Sequence, residues 1–219
     1  MRLVRLAAWL CALCLLVGCT APTNTPAPAP KPDDAATAKT AAVPLAEAVC
    51  RMDFATLAAH SAIDVETQGA IVDYMGLRDE NGKICWKNRA FDDFAEYVAY
   101  VDGQTAAFFS DFELTVNRAT VYESDKLEAV FDQAKTAEYR GYDLDPAIPA
   151  RYDAALDARN ADRGAIVEIV VDTVDAGYVI QVCLLKIDSE WKSISPTVIG
   201  LLGSGAEGPT YRYLRKIVQ

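Results

Sequence analysis

Residues 165–195 read AIVEIVVDTVDAGYVIQVCLLKIDSEWKSIS, and the spacing of apolar residues along them decides the fold. Val167, Ile169 and Val171 recur at every second position, with Glu168 and Asp172 on the opposite side, which is the alternation of a strand with one buried face. Asp175-Ala176-Gly177 predicts the hairpin turn, with Gly177 free to take a positive φ. Tyr178 to Ile187 has few polar side chains and predicts a long, mostly buried strand. Asp188-Ser189-Glu190 turns the chain into a third strand, Trp191 to Ser195, which Pro196 ends. Strands joined by turns this short pair antiparallel.

Upstream the period changes to that of a helix. Leu45 to His60 (LAEAVCRMDFATLAAH) puts Leu45, Val49, Met52 and Thr56 on one stripe, and Pro44 suits the first turn, where a missing N–H costs nothing. Ser61 and Asp64 predict a capped second helix from Ala62 to Met75, and Asn81-Gly82 a turn. Phe91 to Val101 predicts a third helix, with Phe91, Phe94, Val98 and Val101 on one face. Phe112, Leu114 and Val116 suggest a short strand. Ser124 is placed to cap a helix from Asp125 to Tyr139 carrying Leu127, Val130, Phe131 and Ala134, and Tyr152 to Arg159 adds a further turn or two. Helices first and strands last make an α+β domain, with N-terminal helices packed on a C-terminal antiparallel sheet.

The other end of the chain has a different character. Arg2 and Arg5 precede an uncharged run, Leu6 to Val17, too short to span a bilayer, which takes about 20 residues, but suited to a secretory signal peptide. Leu16-Val17-Gly18-Cys19 resembles the lipobox of bacterial lipoproteins. The resemblance implies a signal peptide over residues 1–18, a diacylglyceryl thioether on Cys19 and an acylated (palmitate-type) amine after cleavage. It places the protein at the cell membrane or envelope, on the exported side, held to the bilayer through the Cys19 acyl chains. Cys11 and Cys14 would leave with the signal peptide and form no redox pair. Thr20 to Pro44 has prolines at 22, 26, 28, 30, 32 and 44 and Val43 as its one aliphatic residue larger than alanine. Too apolar-poor to offset its ordering entropy, it predicts an extended tether over residues 19–44 reaching at most roughly 80 Å. Residues 45–219 then form a single globular domain.

The chain of 219 residues carries a formal charge of −10, which argues against a nucleic-acid partner, since phosphate binding needs a basic face. At 52% hydrophobic it can build a core, which excludes wholesale disorder.

Val49-Cys50-Arg51-Met52-Asp53-Phe54-Ala55-Thr56-Leu57 resembles the first helix of nuclear transport factor 2-like (cystatin-like) domains, and Lys186 to Ser195 (KIDSEWKSIS) resembles their closing hairpin. The resemblance implies a curved sheet wrapped around helices as a cone with a cavity, and, for enzymatic members, a Tyr with an Asp, or a His–Asp pair, inside it. Asp53, Tyr97, Tyr100 and Tyr178 are the residues of those types to follow. No catalytic residue is named from the sequence.

Other motifs reduce to structural readings. His60 is the one histidine and stands at a helix end. Cys50, Cys85 and Cys183 lack paired zinc-ligand spacing, so no metal is expected, and a disulfide between two of them stays open beside free thiols. Gly203-Ser204-Gly205-Ala206-Glu207-Gly208 matches the dinucleotide fingerprint in letters, but Pro209 follows and no βαβ unit fits in the remaining chain, so no cofactor is expected. Asp143, Asp145, Asp153, Asp157 and Asp162 lack the alternation of a calcium loop and read as a solvated acidic stretch. The expectation is a non-catalytic module binding a small ligand or an envelope protein. The alternatives are a small-molecule hydrolase, isomerase or dehydratase, and an inhibitor or immunity-type protein with an acidic face.

Overall fold

Alanine builds the first element. The computed structural model describes residues 33–64, 68, 79–86, 89–102, 104–139, 154, 160–202 and 213–217, and Asp33–Gln219 forms one compact unit. Helix α1, Asp34–Arg51, opens where Asp33 accepts a hydrogen bond from the Ala36 N–H. Ala38, Ala42, Leu45 and Val49 recur at helical spacing and are all buried, and the small alanines let the helix lie close on the sheet. The extended stretch expected up to Pro44 is therefore corrected: the helix starts at Asp34, and Pro44 lies inside it. Proline forfeits one helical hydrogen bond there, but alanine has the highest helix propensity and the buried stripe outweighs the local loss.

The single helix expected over Leu45–His60 is two. Met52 takes a left-handed conformation (φ 58°) that stops α1, and Asp53 caps helix α2, Phe54–Ala59. Ala62 and Ile63 are bends rather than the start of a helix, and the residues of that expected helix from Val65 on, Gln68 excepted, lie outside the described ones. The Asn81-Gly82 turn is present, with Gly82 at φ 76°. It leads into a small hairpin of β1, Ile84–Trp86, and β2, Arg89–Phe91. Phe91 thus ends a strand, and helix α3, Phe94–Asp102, begins after Asp93 accepts from the Glu96 N–H.

Strand β3, Glu113–Glu123, is longer than its few alternating residues suggested. A 3₁₀ turn, Ser124–Lys126, precedes helix α4, Glu128–Tyr139, and Ser124 does not cap it. Strands β4, Ala161–Asp172, β5, Gly177–Ile187, and β6, Glu190–Ser195, follow as expected. Short helix α5, Val198–Leu202, and strand β7, Leu214–Lys216, complete the described chain. The antiparallel sheet runs β3-β4-β5-β6, and β7 pairs with the start of β5, which β6 does not reach. The class is α+β.

Gly177 is corrected as well. It takes no positive φ; it sits on β5 opposite Asp172, where an added Cβ would meet Ile217 at 3.2 Å. Positive φ falls instead in the next turn, on Asp188 (50°) and Ser189 (69°), the pattern of a two-residue hairpin loop.

Both faces of the sheet are covered. Val167, Ile169, Val171, Ile180, Val182 and Leu184 pack with α1, α2 and α3 in the larger core. On the other face Cys183, Leu185 and Ile194 pack with Val130 and Ala134 of α4 and with Ala62 and Ile63. Gly164 makes the second layer possible, because a Cβ there would lie 2.8 Å from Leu127 and Val130 side-chain carbons.

Candidate functional site

Asp53 spends its carboxylate on the fold. Oδ1 accepts from the Thr56 N–H at 2.8 Å and Oδ2 from the Thr56 hydroxyl at 2.6 Å. Asp102, at the end of α3, accepts from the N–H groups of Phe54 (2.7 Å) and Ala55 (3.2 Å), so two carboxylates cap the start of α2. His60 caps the other end, with Nδ1 3.1 Å from the Thr56 carbonyl oxygen, and is exposed.

The tyrosines divide between two places. Tyr97 packs between Phe91 (centroids 5.5 Å apart) and Phe94 (6.0 Å), and burial pushes its hydroxyl pKa up. Tyr100 stacks on Phe91 at 5.1 Å beneath the Arg89 guanidinium, 4.3 Å from its ring. Tyr178 belongs to another cluster, 5.2 Å from Phe109, which also meets Phe108 and Phe112. Tyr97 and Tyr100 therefore share a ring neighbour, while Asp53 serves α2 and Tyr178 serves the start of β5.

Cys50, Cys85 and Cys183 are free thiols, Cys50 and Cys183 buried and Cys85 exposed, so no two of them form a disulfide. Burial pushes the Cys50 thiol up to about 12, so it stays protonated at neutral pH and is no nucleophile. No group of three His, Cys, Asp or Glu side chains among the described residues is placed to hold a metal ion. Of the acidic stretch, Asp162 is described and is exposed on β4; Asp143, Asp145, Asp153 and Asp157 lie outside the described residues, as do the Gly203–Gly208 motif and Cys19. No described helix is long and apolar enough to cross a membrane.

A charged cluster that sequence reasoning missed fastens the start of α1. Asp34 receives Lys186 Nζ at 2.5 Å and Arg163 Nε at 2.8 Å, and Arg163 also pairs with Glu123. The Trp191 indole N–H donates to the Thr37 hydroxyl at 2.9 Å. These partners lie far apart in the chain, so no local spacing marks them. Their charges neutralise one another and their work is to hold α1 on the sheet.

The opposite end of the sheet is different. The Cys50 carbonyl, one residue before the end of α1, accepts from the Phe108 (2.8 Å) and Phe109 (3.3 Å) N–H groups, which seats the half-buried Phe108, Phe109, Phe112 and Tyr178 there. Arg51 covers the Phe112 ring at 5.1 Å. Val174 and Ile217 stand exposed at the same end. No family model, no curated protein and no solved structure matches this chain.

Proposed function

We propose that the protein is a bacterial lipoprotein, anchored to the cell envelope through Cys19, whose α+β domain is a non-catalytic interaction module. The carrying observation is the filled sheet face: Val167, Ile169, Val171, Ile180 and Val182 are fully buried against α1, α2 and α3. An enzyme of the cone type needs an acid or base facing a tyrosine across a cavity. Here Asp53 is committed to a helix cap and Tyr97 to an aromatic stack. The order of elements, helices and a small hairpin before a four-strand antiparallel run, supports a nuclear transport factor 2-like topology, with α4 as an additional layer. The lipobox at Leu16–Cys19 and the proline-rich run to Pro32 support the anchor and tether.

Two measurements test this. Metabolic labelling with a fatty acid should tag the wild type and not Cys19→Ser, and the variant should keep its signal peptide, because processing depends on the diacylglyceryl group. Equal labelling of both sinks the anchor. Cross-linking the full-length protein in intact cells should trap an envelope protein, and a failure to trap any at saturating cross-linker sinks the module.

A further inference from the structure

A strand at the edge of a sheet presents N–H and C=O groups that another strand can take up. The β6 edge of this sheet is closed: Ser61 bridges Ser193, the Ala62 N–H donating to the Ser193 carbonyl at 2.7 Å and the Ser193 N–H to the His60 carbonyl at 2.6 Å. Where β6 stops, the start of β5 is covered by β7, itself three residues long. At the other edge β3 runs for 11 residues with neither Pro nor Lys, and among the described residues it pairs with β4 alone. Leu114 and Val116 are half-buried, whereas Val171 and Ile169 opposite them on β4 are fully buried, so the apolar layer under α1 runs out to this open edge. A bulge between Val116 and Arg118 leaves Asn117 out of the ladder and puts Arg118 on the same face as Glu113 and Thr115. All three are exposed, and Glu113, which stands opposite Asp172, forms no ion pair among the described residues.

We infer that β3 pairs antiparallel with β3 of a second copy of this chain, about a two-fold axis at Thr115, and so joins two sheets into one. With Thr115 opposite itself and Asn117 of each strand left out of the ladder, Leu114 meets Val116 of the second copy and Glu113 meets Arg118 of the second copy, each twice by symmetry. Apolar residues then face each other on the α1 side and opposite charges on the other side, both favourable cross-strand pairs. Across four strands the charged row reads Asp172, Glu113, Arg118 and Glu168, the last two from the second copy, so the Glu113–Asp172 repulsion gains a cation. Without the bulge Arg118 would fall on the face of Leu114 and Val116, and its meeting with Glu113 would be lost. The face-matched register about Thr120 sets Arg118 against Tyr122 and brings no opposite charges together. An extended segment of another protein would find the same backbone groups, but the match of this strand to itself is what a second copy supplies. Because the β6 edge is closed, pairing stops at two copies. The inference goes beyond the interaction-module reading and does not depend on it: a different envelope protein caught in cells bears on the module, and the pairing is tested on the isolated protein.

The test uses the full-length protein in a nonionic detergent. Sedimentation velocity should show a dimer, which Glu113→Arg and Arg118→Glu should each weaken about tenfold or more, while the two changes together exchange the charges and restore it. Register is read by disulfide trapping in a Cys85→Ser parent, which removes the exposed thiol. On mild oxidation Thr115→Cys should give a linked dimer. The parent, Thr120→Cys and Thr136→Cys, the last exposed on α4, should not. The trapping decides the case even where a charge reversal harms folding. A monomer in sedimentation with no Thr115→Cys link overturns the inference. So does linking of Thr120→Cys or Thr136→Cys as fast as Thr115→Cys, or a doubly exchanged protein that folds and stays monomeric.

Discussion

Ile169 and Glu168 are neighbours in the chain and opposites in environment. Ile169 is fully buried between Val116 and Ile180 in the register of the sheet, facing α1. Glu168 points to the other side, where it accepts a hydrogen bond from Asn117 and lies 3.9 Å from an Arg118 nitrogen. Ile169→Ala removes atoms from a packed core and should cost about 2–5 kcal/mol. Glu168→Ala loses one hydrogen bond and a weak, half-solvated ion pair, about 0.5–1 kcal/mol. Denaturant unfolding of the two variants compares them. Equal losses would mean that the strand faces are assigned wrongly, since a slip of one residue exchanges them.

At the scale of elements, α1 decides where the folded unit starts. Ala38 and Ala42 are fully buried, and Asp34 joins Lys186 and Arg163, so residues 33–43 belong to the domain. Deleting residues 20–32 should leave the thermal midpoint almost unchanged. Extending the deletion through Val43 removes two buried alanines, the Asp34 cluster and the Thr37 partner of Trp191, and should lower stability by several kcal/mol, about 3 or more. Calorimetry of the two deletions separates the cases. A small effect of the longer deletion would show that the first turns of α1 merely rest on the sheet. Helix α4 teaches a related point: it returns to the sheet between β3 and β4 and occupies the face that α1 leaves open, which Gly164 permits by having no side chain.

For the whole molecule, the buried thiols report cooperativity. Cys50 lies in one core and Cys183 in the other, on opposite faces of the same sheet, whereas Cys85 is exposed on the small hairpin. A thiol reagent at neutral pH should label Cys85 in the native protein and reach Cys50 and Cys183 together, with the same denaturant midpoint, if the two layers unfold as one. Separate midpoints would divide the domain into independent layers. The Cys50 pKa, raised to about 12 from its ordinary 9.0, adds a pH dependence. Its folded value exceeds the unfolded one, so its contribution is complete below pH 9.0 and is lost as pH rises from there toward 12. Cys50→Ala should flatten that loss.

The local pattern was enough for β4, β5 and β6 and for the hairpin turn at Asp188-Ser189, because alternation in a half-buried strand is written into consecutive residues and each strand's partner is its neighbour in the chain. It was enough also for the α+β class. Pattern misled where composition outweighed periodicity: the alanines of residues 35–42 read as linker, yet the Asp33 cap and the Ala38, Ala42, Leu45, Val49 spacing were present to be seen. What no local reading supplies is a meeting between distant residues. Asp34 with Lys186 and Arg163, Asp102 on the start of α2, Glu113 against Asp172, and Ile217 on Gly177 are contacts across many residues of chain. They exist only once the sheet has brought its strands into register, because loop closure, not local conformational preference, sets which of them meet.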